Sequence, residues 1–316
     1  MESQDPENRV IAMNRRRSKY LPIYLLPPYF TNSKERHWRS WLVQTIIVSN
    51  IIMFIITMFV NNCPKNNILE INGQCVAKFL GRFSFQPLKT NPLFGPTSLT
   101  AFKLGGLEWN MVVNGHQWWR MFAAIWLHAG VIHLFVNMLS LFLIGIRLEQ
   151  QFGFMRIGAI YLLSGLSGNI LSLLFLQNGI SVGASGALFG LIGAMLSELL
   201  TNWTVYTRKL CAMLLLLSMI IGELVFDGIH SWRVNNFGHI GGVLSGFLLG
   251  FVLLLRPQPL PRTLPVTKSK YTVFQWVSLV ISLLLFIVGF TVGIVMVSRG
   301  DNGNDYCNWC HYLSSR

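Results

Sequence analysis

Seven runs of apolar residues leave this chain few ways to fold: Leu42–Val60, Gly130–Ile146, Ile157–Leu176, Gly183–Leu200, Leu210–Val225, Phe237–Leu255 and Val273–Val297. A helix crosses a bilayer with about 20 such residues, and most of the runs approach that length. The second, fourth and fifth are shorter. One short run would fit the buried core of a soluble protein, but seven in 316 residues do not. Helices are implied rather than strands, because in lipid every backbone donor and acceptor must be satisfied within its own segment. Composition agrees, with 52% of residues hydrophobic and 12% charged. That balance is too apolar for a water-soluble domain of this length. The expected fold is an all-α membrane protein.

The net charge of +13 would point to nucleic acid in a soluble protein. Here the basic residues lie between apolar runs, so they set orientation instead, and no nucleic acid partner is expected. The first 40 residues are polar and basic, with Arg15, Arg16, Arg17 and Lys19, and contain no cleavable signal. The first run then acts as an uncleaved anchor with a cytosolic N-terminus. By parity, Arg147–Arg156, Thr201–Lys209 and Arg256–Lys270 are also cytosolic. With the N-terminal 40 residues they hold 16 of the 25 Lys and Arg.

The chain divides into a cytosolic tail (1–40), a core (41–256) and a C-terminal part (257–316). The core contains a long outer loop, 61–120, whose Phe83, Phe85, Pro87, Pro92, Phe94 and Pro96 suit an ordered, partly embedded segment rather than a disordered linker. The C-terminal part holds a stiff Pro-rich basic linker, the seventh helix and an outer tail. Cys63 and Cys75 fall in the outer loop, Cys307 and Cys310 in the outer tail, and Cys211 within a run. Four cysteines on the oxidising side point to disulfides, with free thiols as the alternative; the pairing cannot be deduced. Cys307-Asn308-Trp309-Cys310-His311 matches a haem attachment pattern, but nothing else calls for electron transfer, and a structural disulfide is preferred. The sequon Asn202-Trp203-Thr204 lies on the cytosolic side and should stay unmodified.

Polar residues inside membrane runs are costly and usually functional. The second run opens with His128, His133 and Asn137, the fourth with Gly183-Ala184-Ser185-Gly186, and the sixth with Gly238-His239. All three runs start on the outer face, so these groups lie at one depth. The topology that puts them there came from hydropathy and loop charge alone. Ser185 and His239 make a nucleophile and a base, since a serine hydroxyl becomes nucleophilic when histidine takes its proton near neutral pH. No Asp or Glu sits at that depth, so a dyad is expected rather than a triad. Ser185 lies at a helix N-terminus, where free N–H groups favour developing negative charge. His133 and Asn137 share a helix face at i and i+4 and would join the Ser185 amide as oxyanion donors.

Each motif alone has a plainer explanation. Gly-Ala-Ser-Gly is more often a packing face, a membrane histidine more often a partner of a backbone carbonyl, and His128, His133 and Asn137 by themselves would also fit a metal or proton site. Ala187 stands where a Gly-x-Ser-x-Gly elbow needs its second Gly, and no strand precedes it. Gly242 and Gly246, at +3 and +7 from His239, allow close approach of a neighbouring helix, and the fourth run offers Gly183, Gly186 and Gly190. That approach is what a Ser–His hydrogen bond requires. No cofactor or metal is called for.

The sequence resembles the rhomboid intramembrane serine proteases over roughly residues 40–260. The matching motifs are Trp119-Arg120, His128 with His133-x-x-x-Asn137, Glu149 and Gly153, Gly183-Ala184-Ser185-Gly186, and His239-x-x-Gly242-x-x-x-Gly246. The seventh helix looks like the six-plus-one arrangement of secretory-pathway members, and Phe83–Pro96 and Gly145–Phe154 look most like the plant branch. The resemblance implies a six-helix bundle plus one C-terminal helix, Ser185 as nucleophile, His239 as base, and His133, Asn137 and the Ser185 amide as oxyanion hole. His128, Gly183, Gly186, Gly242 and Gly246 support the site. Phe189 occupies the position of an aromatic ring stacked on the histidine, and Gly238 stands where Ala commonly precedes it.

The expected function is a serine endopeptidase that cuts single-pass membrane proteins near the outer or luminal face, in a Golgi, endosomal or plasma membrane. Its partners are those substrates and the lipid bilayer, with substrate entering beside the fifth run, whose end carries Glu223 and Asp227. The rival is a catalytically silent relative that holds or routes membrane clients; such relatives lack the Ser or the His. A proton-relaying transporter would show paired half-sequences or interrupted helices, which are not found.

Overall fold

In a computed structural model, the described residues are 38–66, 73–201, 236–256 and 271–307, with 210, 213, 214, 216–218, 220, 221 and 310. Among them the chain is helical, and its extended pairing is limited to two isolated bridges, Val76 with Phe85 and Leu107 with Ser181. Six apolar helices are labelled α1 (Leu42–Asn61), α2 (Val131–Phe152), α3 (Phe154–Phe175), α4 (Ser185–Thr201), α5 (Asn236–Leu253) and α6 (Val273–Arg299). All but α4 are long and apolar enough to cross a membrane. The fifth apolar run falls largely outside the described residues, as do the proposed gate acids Glu223 and Asp227, the sequon, the basic linker and most of the N-terminal tail. The residues of that run that are described are helical.

Helix α4 sits in the middle of the bundle against α3 and α5. Twelve of its 17 residues are buried, including Leu188, Leu191, Ile192 and Leu199. A short helix suffices there because neighbours rather than lipid surround it. Outward, α1 and α6 leave large apolar side chains exposed, among them Ile52, Ile55, Phe59, Leu284, Ile287 and Val288. A row of uncovered isoleucine and valine is unfavourable in water and ordinary in hydrocarbon.

One expectation needs correcting. The second run is expected to end at Ile146, with Arg147–Arg156 as a cytosolic segment outside it. Helix α2 instead continues to Phe152 through a π turn over Leu141–Gly145. A single residue, Gly153 at φ 86°, then turns the chain into α3. The polar last turns are buried for a reason. Glu149 is fully inaccessible, and its carboxylate accepts hydrogen bonds from the backbone N–H groups of Trp41 (3.0 Å), Leu42 (2.9 Å) and Val43 (2.8 Å). Those donors open α1 and have no partner within their helix, and a carboxylate there also meets the positive end of the helix dipole. Glu149→Ala is therefore expected to lower stability by about 2 kcal/mol or more, because it leaves buried donors unmet. Glu149→Gln, which keeps one acceptor oxygen, should lose less. Thermal unfolding of the purified variants checks the order.

The long loop is built around caps. The N–H groups of Val131 and Ile132, at the start of α2, donate to the carbonyls of Phe94 and Leu93 at 3.1 and 3.3 Å. Asn91 Nδ2 donates to the carbonyls of Pro96 and Ala129, both at 2.8 Å. Disulfides join Cys63 to Cys75 and Cys307 to Cys310, the pairing left open above. Helix α6 lies against α3 and α5. Gly293 lets it approach Ile170, and Val297 is buried beside Ile170, Leu173 and Leu174.

Candidate active site

Helices α2, α4 and α5 begin at one end of the bundle, and the polar residues of the sequence reading lie in or just before their first turns. Ser185 opens α4 and His239 lies in the first turn of α5. The two are 54 residues apart, yet Ser185 Oγ stands 2.9 Å from His239 Nε2. When the ring carries its proton on Nδ1, Nε2 accepts from the hydroxyl, and the imidazole is then a base placed on a nucleophile. The Phe189 ring, one turn after Ser185, stacks on the His239 ring at 4.4 Å and 18°. Both rings are buried, which fixes the imidazole plane.

Small residues make this distance reachable. A Cβ on Gly242 would fall on the Gly186 carbonyl, one on Gly246 on the Gly190 carbonyl, and one on Gly193 on the Val243 carbonyl. Gly250 meets Ala194 and Ser197 in the same way one turn further along. In α3, Gly168 leaves room for the Gly238 carbonyl. Backbone therefore packs on backbone along the whole α4–α5 contact, as small-residue faces permit. Gly168, Gly193 and Gly250 were not singled out in the sequence, although each continues the small-residue pattern.

His133, in the first turn of α2, points toward Ser185. A Cβ on Gly183 would stand 2.8 Å from His133 Cε1 and 3.6 Å from Ser185 Oγ, so the two side chains flank one small space. Gly183 has φ 138°, a conformation that L side chains rarely adopt, so glycine is needed there for backbone as well as for room. His133 Nδ1 accepts a long bond, 3.5 Å, from the Ala129 N–H. That assigns the ring proton to Nε2, the nitrogen facing Gly183 and Ser185, as an oxyanion donor requires. His128 precedes α2, is buried, and packs edge-on against His133 with ring centroids 5.3 Å apart. Asn137 is also buried, but its Nδ2 donates to the His133 carbonyl in its own helix at 2.9 Å. One of its two amide hydrogens is thus spent on holding the first turn of α2, and only the other is available to a ligand.

Two supports had no assigned role in the sequence. Arg120 is buried; its Nη1 donates to the carbonyls of Phe102 and Gly106, both at 2.8 Å, and its Nε to Gln117 Oε1 at 2.7 Å. The next residue, Leu107, exchanges two 2.9 Å backbone bonds with Ser181, and the Gly183 N–H donates to the Ala124 carbonyl at 2.9 Å. A hydrogen-bonded path thus runs from Arg120 to the turn that presents Ser185. The second support is at the other wall: Phe237 stacks on Phe175 at 4.1 Å, and Asn304 Nδ2 holds the Phe175 carbonyl at 3.1 Å. In the sequence Arg120 appears only within the Trp119-Arg120 motif, with no partner to give it a role, and a tail asparagine does not stand out at all.

Comparison with known proteins places this geometry. The rhomboid domain matches residues 115–256, which include His133, Ser185 and His239. The chain is 60% identical to RHOMBOID-like protein 2 of Arabidopsis thaliana over 90% of each chain. It is 55% identical to RHOMBOID-like protein 1 of the same plant, over 88% of this chain and 72% of the relative. A more distant relative, at 41% identity over 87% of this chain and 80% of its own length, is the Inactive RHOMBOID-like protein 8 of that plant. With such relatives aligned over 72–90% of their own length, and the matched domain spanning all three helix starts of the site, the chain belongs to the rhomboid family.

Proposed function

We propose that this protein is an intramembrane serine endopeptidase that uses Ser185 and His239 as a dyad. The observation that carries the reading is the 2.9 Å contact between Ser185 Oγ and His239 Nε2 under the stacked Phe189 ring. His239 takes the hydroxyl proton as Oγ attacks the scissile carbonyl. The oxyanion that forms meets the Ser185 amide and the His133 Nε2–H, both already oriented, which costs no reorganisation at that moment. The imidazolium then returns its proton to the leaving amine, and water repeats the sequence on the acyl-enzyme. Incubating the purified protein with a single-pass substrate in proteoliposomes tests the reading: new product termini are expected, and an intact substrate after prolonged incubation refutes it.

A second reading has support because two relatives are named inactive: a silent protein that binds membrane clients. Ser185 and His239 both being present and in contact favours the enzyme. A fluorophosphonate probe separates the two, since only an activated serine is labelled.

Graded losses are expected at the oxyanion donors. Removing one typically costs about a hundredfold or more in rate. His133→Ala, which removes a donor aimed at Ser185, should lose more than Asn137→Ala, whose amide is partly committed to the His133 carbonyl. Neither should be as inactive as Ser185→Ala, because the Ser185 amide remains. Initial cleavage rates decide; equal, wild-type rates would remove both from the mechanism.

The cut should fall where the site lies. A helix hides its peptide bonds inside its own ladder, so Ser185 can attack only a carbonyl released from it. Substrates are expected to be single-pass proteins with helix-weakening Gly or Pro near the membrane face shared with Ser185. A small residue should precede the bond, given the narrow space between Gly183, His133 and Ser185. That face is the outer or luminal one if the basic tail is cytosolic, and the Cys63–Cys75 and Cys307–Cys310 disulfides support an oxidising compartment there. Golgi, endosomal or plasma membrane is the corresponding location. Mass spectrometry of product termini checks the position; cuts clustered at the opposite end would sink the depth argument.

A further inference from the structure

At the end of the bundle away from Ser185, a cleft of about 310 Å³ opens between the start of α3, the end of α5 and the start of α6. Within α5, His239 lies in the first turn and Leu253 at the end, so at 1.5 Å per residue about 21 Å separates this cleft from the dyad. Its walls divide by chemistry. Arg156, in the first turn of α3, stands on one side and Tyr271 and Trp276 on another, while Val252, Leu255 and Leu279 form an apolar floor. Arg156 is exposed and has no hydrogen-bond or ion-pair partner among the described residues. The Tyr271 and Trp276 rings lie edge to face with centroids 6.0 Å apart, and both are about half exposed. Gln275 beneath them is committed elsewhere, with Nε2 donating to the Arg256 carbonyl at 2.8 Å and Oε1 accepting from the Thr272 N–H at 2.9 Å.

This pattern describes one class of ligand. Tyrosine and tryptophan at a helix end mark the headgroup level of a membrane, with an apolar ring body and a polar tip. Beneath that level the half-buried aliphatic floor adjoins the exposed apolar surface of α6. A guanidinium at headgroup level with no anion beside it among the described residues is matched by a phosphate, and Arg does this with two parallel hydrogen bonds. A headgroup of net zero charge carries its own cation, which opposes Arg156, so a headgroup of net negative charge is favoured in this cleft. Basic clefts between transmembrane helices are a known way of holding anionic lipid.

We propose that this cleft binds one anionic glycerophospholipid, its phosphodiester paired with Arg156 between Tyr271 and Trp276, and its upper acyl chain laid on Val252, Leu255 and Leu279. The bound lipid joins α6 to α3 and α5, which makes the seventh helix part of the bundle through lipid as well as through direct packing. The site does not depend on the proposed peptidase chemistry.

The test uses the full chain, purified in mild detergent, with native mass spectrometry of adducts during titration with phosphatidylserine, phosphatidylcholine or inorganic phosphate. One phosphatidylserine is expected to bind at least about fivefold more tightly than phosphatidylcholine, the size of one favourable basic contact at a membrane surface. Arg156→Gln should abolish that preference and Trp276→Ala should weaken binding of both lipids, while melting temperature without added lipid stays within a few degrees of wild type. Equal affinity for the two lipids, or an unchanged preference in Arg156→Gln, overturns the proposal. Inorganic phosphate displacing phosphatidylserine at equal concentration makes it a phosphate site and also overturns it, as does a co-purifying membrane helix occupying the cleft in place of lipid. Fluorophosphonate labelling of Ser185 in the same samples keeps the outcomes separate: no labelling with lipid preference intact speaks against the peptidase and leaves the lipid site standing.

Discussion

Ser185→Ala is expected to abolish cleavage while leaving the fold intact. Ser185 is only half-buried and its hydroxyl bonds to His239 Nε2, so losing one oxygen opens no large cavity and leaves a single ring nitrogen without that partner. In serine peptidases, loss of the nucleophile or of the base each costs on the order of a millionfold in kcat, because they act as one unit. His239→Ala should therefore fall as far as Ser185→Ala, and the double variant hardly further. The histidine variant should also lose its ring stack on Phe189, so a modest drop in melting temperature is expected there and not in Ser185→Ala. The measurement is turnover of a single-pass substrate in proteoliposomes, with melting temperature as the control for folding. Ser185→Ala cleaving at near wild-type rate would show that another group carries the chemistry.

How much of this was legible beforehand depends on the physics each feature obeys. Hydropathy locates α1 and α6 well: Leu42–Asn61 against an expected Leu42–Val60, and Val273–Arg299 against Val273–Val297. It fails at the end of α2, where Arg147, Glu149, Gln150 and Gln151 read as loop. Hydropathy scores a carboxylate by its cost in lipid and has no way to score the three N–H groups of α1 that receive Glu149. Glu198 was overlooked for the same reason; it lies inside α4, buried, 3.7 Å from Arg256. The site was legible because polar residues are rare inside apolar runs, so Ser185, His239 and His133 could be matched by depth alone. What depth cannot give is direction. Asn137 lies at the expected level and on the expected helix face, yet its amide turns back to the His133 carbonyl. Arg120 is harder still, since it opens a helix of only four residues, Arg120–Ala123, too short for any periodicity to tie it to Ser185.

A single methyl group on Gly242 is expected to be nearly as damaging as loss of a reacting residue. The Cβ would fall on the Gly186 carbonyl, and at Gly246 on the Gly190 carbonyl, both far inside van der Waals contact. The obstructing atoms are backbone, so no rotamer relieves the overlap; α4 and α5 must part by about 1 Å, and close-packed interiors yield only at a cost. Gly186 follows Ser185 directly and Gly242 lies one turn after His239, so that displacement is delivered at the dyad. A 2.9 Å hydrogen bond lengthened by about 1 Å is no longer one, and a misplacement of that size can cost about a hundredfold in rate. Gly242→Ala should therefore lose at least about a hundredfold in cleavage and about 1–3 kcal/mol in stability from overpacking. Gly289→Ala is the matched control: it lies within α6 with no atom within 4 Å of its added methyl. There the substitution only improves helix propensity, so rate and melting temperature should hold or rise slightly. The contrast separates the general cost of altering a membrane glycine from the particular need for backbone contact beside Ser185. Gly242→Ala cleaving as fast as Gly289→Ala would mean that the dyad forms without that contact, and the packing account of the site would have to be abandoned.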